Sequence, residues 1–151
     1  MNAQNVKMAV ILSLLLVMMA PLSARAATPA EEARFVAAVQ KAFRDHKPAD
    51  LVELTCWDQV GEKSKKEAEG MYADLVEQKD VVWDFKLVDP EAKALEKERA
   101  KPVDERANIA VIKQLDMKFS DAKDGKRILG IIGFAVGEKD GKLLLARAPA
   151  K

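Results

Sequence analysis

Residues 108–148 read NIAVIKQLDMKFSDAKDGKRILGIIGFAVGEKDGKLLLARA, and the tetrapeptide Lys-Asp-Gly-Lys occurs in them twice, at Lys123–Lys126 and at Lys139–Lys142. Each copy sets Asp-Gly between apolar runs. That is the strongest short-range signal for a two-residue type I′ hairpin, whose two central residues both need φ > 0. The stretch therefore predicts a three-stranded antiparallel meander, and counting outward from the two turns fixes its register. Around Asp124-Gly125, Met117 falls opposite Ile132, Leu115 opposite Phe134 and Lys113 opposite Val136. Around Asp140-Gly141, Val136 falls opposite Leu145 and Phe134 opposite Arg147.

The two counts place one apolar set on a common face: Ile109, Val111, Leu115, Met117 and Phe119, then Ile128, Ile132, Phe134 and Val136, then Leu143 and Leu145. Two cations share that face, Lys113 and Arg147. A charge in a dry core is costly, so each must reach solvent, a carboxylate or a ligand. The opposite face is apolar through Leu129, Ile131, Ala135, Leu144, Ala146 and Ala148. A contiguous apolar patch of this kind predicts a partner, most economically a homodimer through the outer sheet face. The alternative is that the charged segment Glu91–Lys101 covers it.

Upstream, Val81, Trp83, Phe85 and Leu87 alternate with Val82, Asp84, Lys86 and Val88, the pattern of a half-buried strand whose aromatic face continues the core. Before it the spacing is helical. Thr28-Pro29-Ala30-Glu31 offers a capping box, and Phe35, Val36, Val39, Ala42 and Phe43 form an apolar stripe running to about His46, ahead of Pro48. Asp50–Leu54 predicts a short second helix. A third, capped at Asp58 and reaching Gln78, turns Val60, Ser64, Ala68, Met71 and Leu75 inward, with Gly70 read as a point of close backbone packing.

The first 26 residues have another logic. Lys7, the apolar run Met8–Ala20, Pro21 and Ala24-Arg25-Ala26 match the three regions of a signal peptide. Processing after Ala26 leaves residues 27–151 as one domain. The chain is expected to be exported, to the periplasm or the outside, without a stable membrane anchor after cleavage; an uncleaved anchor is the alternative. Removing Lys7 and Arg25 leaves 23 basic against 24 acidic side chains, so nothing in the bulk charge seeks nucleic acid. Cys56 is the only cysteine, which excludes an intrachain disulfide.

The fold class expected is α+β: N-terminal helices packed on a curved antiparallel sheet of about four strands that ends in the meander. This element order resembles the ketosteroid-isomerase-like, cystatin-like cone, in which a curved sheet wraps a helix and leaves a pocket at one end. Cys56-Trp57-Asp58, the strand Asn108–Leu115 and Val136–Lys142 are similar to segments of a group of small exported bacterial proteins of unassigned activity. The cone resemblance implies a pocket under the sheet, lined by Lys113, Arg147, Phe134 and Trp83 and suited to a small apolar or anionic ligand. Snorkelling at the sheet's open end, or a bulge that turns Lys113 outward, accounts for the cations without a ligand and is the simpler account.

Enzymes of the cone fold carry an acid–base aspartate or histidine in that pocket. Here Asp84 and Asp116 fall on the other face, and His46 sits at a helix end. Cys56 reads as a buried packing residue rather than a nucleophile. One His, one Cys and no paired-ligand spacing predict no metal, and no glycine loop predicts a phosphate-bearing cofactor. The balance favours a non-catalytic binding domain. A small isomerase, dehydratase or hydrolase, and a structural dimeric envelope protein, are the alternatives.

Overall fold

A computed structural model describes residues 26–123 and 127–148. The expected signal peptide apart from Ala26, and residues 124–126 and 149–151, lie outside them. Three helices come first: α1 (Pro29–Arg44), α2 (Pro48–Glu53) and α3 (Glu62–Val76). Strand β1 (Val81–Val88), helix α4 (Ala92–Ala100) and a 3₁₀ turn (Val103–Glu105) follow. The meander β2 (Val111–Asp121), β3 (Ile128–Lys139) and β4 (Lys142–Leu145) completes the chain. The strands pair in the order β1-β2-β3-β4, all antiparallel, and the sheet curls into a half-barrel with helices on its inner side. The fold is α+β.

α1 begins as its residues dictate. Glu31 N donates to Thr28 Oγ1 at 3.3 Å and Thr28 N donates to Glu31 Oε2 at 2.7 Å, satisfying two of the amides that a helix start leaves open. Its stripe Phe35, Val39, Ala42 and Phe43 is buried against Leu115, Met117, Val136, Leu143 and Leu145 of the sheet. α3 starts later than expected, with Gly61 at its N-cap. Asp58 does not cap it, because its carboxylate is drawn across to the Lys139 ammonium. The inward residues of α3 are Ala68, Tyr72, Leu75 and Val76, so Tyr72 fills the interior position that the apolar count passes over. Gly70 is exposed, and a Cβ built there meets nothing within 4 Å, so close packing is not its role.

The register holds where it was counted through the middle of the sheet: Met117 opposite Ile132, Leu115 opposite Phe134, Lys113 opposite Val136, and Val136 opposite Leu145. Asp140 and Gly141 adopt φ of 52° and 77°, as a type I′ turn requires. Two shifts break the count at its ends. Val111 pairs with Gly137 and Lys113 with Val136, so Ile112 is an extra residue, and it packs on the core in place of Val111. Val111 instead lines the grooves beside α4. At the other end Phe119 pairs with Gly130 but Ser120 with Ile128, and Asp121 N bonds Arg127 O at 3.0 Å. This shift at Leu129 leaves Ile128 53% exposed rather than in the core; the turn expected at Asp124-Gly125 lies outside the described residues. β4 ends at Leu145; beyond it Ala146 N still donates to Ala135 O, but Arg147 turns away to Asn108 instead of pairing with Phe134.

The last strand is closed by a distant segment. Leu145 N donates to Leu54 O at 2.8 Å and Cys56 N to Leu145 O at 2.9 Å, so residues 54–56 lie along β4 as a short parallel bridge. Asn108 fastens the same junction. Its Nδ2 donates to Cys56 O at 2.8 Å and to Asp58 O at 2.9 Å, its Oδ1 accepts from Arg147 N at 3.0 Å, and its own N–H donates to Arg147 O at 2.8 Å.

Two substitutions test this packing. Gly70→Ala should raise unfolding free energy by about 1 kcal/mol, since the position is helical and open. Asn108→Ala should lower it by about 2 kcal/mol, because three side-chain hydrogen bonds are lost together. Chemical denaturation followed by circular dichroism measures both.

Candidate functional site

The candidate site forms where α1 leaves the sheet. The alternation of β1 turns Trp83 and Phe85 toward the helices, and the last inward residue of α1 is Phe43. Phe43 lies 4.9 Å from the Trp83 ring and 5.0 Å from the Phe85 ring, and Trp83 reaches Phe119 at 5.2 Å, centroid to centroid. Offset and edge-on contacts of this kind stabilise beyond their buried area. Because β1 is the outer strand of the sheet, the cluster is not closed on that flank. A groove of about 350 Å³ opens along it, walled by Phe43, Val81, Trp83 and Phe85 and rimmed by Gln40, Arg44, His46 and Gln78.

The rim is set by how α1 ends. Lys47 N donates to Ala42 O at 2.9 Å and His46 N to Phe43 O at 3.3 Å, the paired bonds of a Schellman motif. The residue that motif needs in the left-handed region is His46, with φ of 51°. Glycine is the usual occupant. Here His46 Nδ1 donates to the Val76 carbonyl at 2.7 Å, which satisfies one of the open carbonyls at the end of α3 and holds the imidazole between two helices. Arg44 beside it is bound through Nε to Asp45 Oδ1 at 3.2 Å. The groove thus combines an aromatic wall with a cation and hydrogen-bonding side chains at its mouth.

The other residues singled out from the sequence lie elsewhere. Lys113 stands at the end of the concave face and bridges Asp89 Oδ1 at 2.7 Å and Glu32 Oε1 at 3.0 Å, which tie the start of α1 to the end of β1. Those hydrogen bonds, Asp89 first, raise its pKa. Phe134 packs on Tyr72, ring centroids 6.3 Å apart. Arg147 lies beside the same tyrosine. The structure therefore does not gather Lys113, Arg147, Phe134 and Trp83 around one cavity; Trp83 alone of the four belongs to the groove just described. Neither cation lines it or the three other principal grooves.

What occupies the inner face is Tyr72, fully buried, whose hydroxyl meets Thr55 Oγ1 at 2.9 Å while Thr55 Oγ1 donates to Leu51 O at 2.7 Å. Sequence spacing did not find it. The signal available was a tyrosine four residues after Ala68, on the same face of the helix.

A second groove, of about 580 Å³, runs between α1, α2 and the β3–β4 turn and is lined by charges of both signs, among them Glu31, Arg34, Lys41, Asp50 and Glu53. Lys41 is held there by Asp45 at 3.0 Å and Asp50 at 3.5 Å. Among the described residues, no three or more His, Cys, Asp or Glu side chains are grouped to hold a metal ion, and no helix is long and apolar enough to cross a membrane. Cys56 is buried and free of any disulfide. No family model, no characterised protein and no solved structure matches this chain.

Burial raises the pKa of Tyr72, opposed in part by its bond to Thr55 and by the nearby Arg147 charge. An unfolded tyrosine ionises near pH 10. Above that pH the unfolded chain loses the phenol proton first, so stability falls as pH rises from about 10 toward the higher folded value. Tyr72 is the only tyrosine, so Tyr72→Phe should remove this part of the alkaline slope in denaturation curves taken across that range. Tyrosinate absorbance of the native protein should appear at higher pH than that of the unfolded chain.

Proposed function

We propose that this is an exported, non-catalytic binding domain that takes a small apolar ligand bearing an anionic group into the groove between α1 and β1. Trp83, Phe85 and Phe43 are the apolar contacts in this reading, and Arg44 is the counter-charge at the mouth. The observation that carries it is the Trp83 wall. An aromatic cluster at the outer strand of the sheet, left unclosed on one flank, bounds a volume within the range of small-molecule sites, about 300–1,000 Å³.

The ligand position proposed differs from the interior pocket that the cone resemblance implies. Phe134, Tyr72 and Leu115 fill the interior, and Lys113 is already neutralised by two carboxylates. The non-catalytic part of the reading is supported by the use already made of His46, whose Nδ1 is committed to a backbone carbonyl, and by the burial of Cys56. The larger groove offers no comparable preference, because its charges of both signs neutralise one another.

Titration with 1-anilinonaphthalene-8-sulfonate, an apolar anion, tests the site. Its fluorescence should rise and saturate with one equivalent. Arg44→Glu, at a largely exposed position, should weaken binding about fivefold, the scale of one ion pair near the surface. Trp83→Ala should abolish saturable binding. Unchanged affinity in both variants rules the groove out.

A further inference from the structure

His46 is the only histidine of the chain, and it stands on the rim of the groove beside Trp83. The end of α1 places it there. Its left-handed φ of 51° turns the backbone out of the helix, and the 2.7 Å bond from Nδ1 to Val76 O fixes the ring against the end of α3. That bond also decides the tautomer. A carbonyl oxygen can only accept, so Nδ1 carries a proton whether the imidazole is neutral or charged. Nε2 is therefore the atom that changes: a lone-pair acceptor in the neutral ring, a donor in the charged one. It has no hydrogen-bond partner among the described residues.

The surroundings limit what Nε2 can meet. The groove is otherwise lined by Gln40, Gln78, Arg44 and apolar side chains, with no carboxylate among them. The charged groups adjoining the ring are Arg44, Asp45 and Lys47 at the end of α1, and Glu77, Lys79 and Asp80 where α3 leads into β1. β1 turns only Val81, Trp83 and Phe85 this way. Asp45 is engaged by Lys41 and then Arg44, whose hydrogen bonds hold its carboxyl below the usual carboxylate range, so it keeps its charge in mild acid. A proton gained at Nε2 thus finds no anion of the protein lining the groove.

We propose that doubly protonated His46 is the second anion-binding group of this groove, its Nε2–H donating to the ligand's anionic group while Arg44 supplies the other positive charge. This role rests on the binding function proposed above and gives it a dependence on pH. The neutral ring turns a lone pair on an incoming anionic oxygen, which repels it; one proton converts that contact into a charge-assisted bond, stronger than a neutral one. Imidazole is the side chain whose charge ordinarily changes between pH 5 and 8. Anions therefore bind more tightly toward the acid end, and an uncharged ligand of the same shape does not. Coupling of this kind is reciprocal, so a bound anion must also make the ring harder to deprotonate.

The purified protein is titrated at about pH 8 and about pH 5.5, to either side of the ordinary imidazole range, with 1-anilinonaphthalene-8-sulfonate and with N-phenyl-1-naphthylamine, the same skeleton without the sulfonate. Affinity for the sulfonate should be about fivefold higher in acid, the scale of one ion pair near the surface. Affinity for the amine should be the same at both. His46→Asn, chosen because asparagine also tolerates the left-handed region, should bind the sulfonate equally at both pH values. In proton NMR spectra of the unaltered protein, the single imidazole should titrate at higher pH with the sulfonate bound and at an unchanged pH with the amine bound. Three results overturn the role of His46 and leave the groove in place: Trp83-dependent sulfonate binding that is equal at the two pH values, a pH response that survives in His46→Asn, or an imidazole titration that the sulfonate does not move. Absence of saturable binding by either probe removes the groove, and this role with it.

Discussion

One asparagine side chain fastens three parts of the chain that are distant in sequence. Asn108 binds the backbone of Cys56 and Asp58 through its amide nitrogen and that of Arg147 through its oxygen. The amide suits this because it donates and accepts from one planar group, so it can satisfy carbonyls on one strand and an N–H on another. Without it, the bridge of residues 54–56 to β4 would rest on two backbone bonds alone. That bridge gives β4 a second neighbour and sets Thr55 under the hydroxyl of Tyr72. Tyr72 in turn fills the interior between α3 and Phe134. The closed inner face follows from this chain of contacts, and so does the displacement of any ligand site to the flank by Trp83.

The centre of the sheet was legible because its information is local. Asp140-Gly141 needs positive φ at both positions, and the alternation beside it lets a residue count predict partners several rungs away. The count failed at Ile112 and Leu129 for the same reason it succeeded elsewhere: period two is blind to an inserted residue. Either bulge could have been suspected from three consecutive residues without clear alternation, as in Ala110-Val111-Ile112. Tyr72 and Asn108 were missed because their partners are distant in sequence. A tyrosine in a polar helix, or an asparagine before a strand, declares its role only when the other segments are in place. Asp58 shows the converse, a good local cap overruled by a tertiary cation.

The candidate site was read only in part. Trp83 was found from the strand pattern, and its aromatic partner on α1, Phe43, from the helical stripe. The groove itself depends on β1 having no further neighbour, which no local pattern states. The cations drew attention because charge on an apolar face is costly. In the structure Asp89 and Glu32 meet that cost for Lys113, whereas Arg147 lies beyond the end of β4, its backbone bound to Asn108 and its side chain beside Tyr72. A misplaced charge signals a compensating group, and that group need not be a ligand.

The bridge between Leu54 and Leu145 also constrains how the fold is reached. Its partners are about ninety residues apart, so closing it carries the loop entropy of most of the chain, and contacts of this separation slow folding. α1, with its own capping box, can form early and locally. A growing chain that has not yet supplied Leu145 cannot seal the edge of its sheet or bury Leu143 beside it. Up to that point the helices have only an incomplete sheet to pack on, and completion of the barrel wall falls to the final strand.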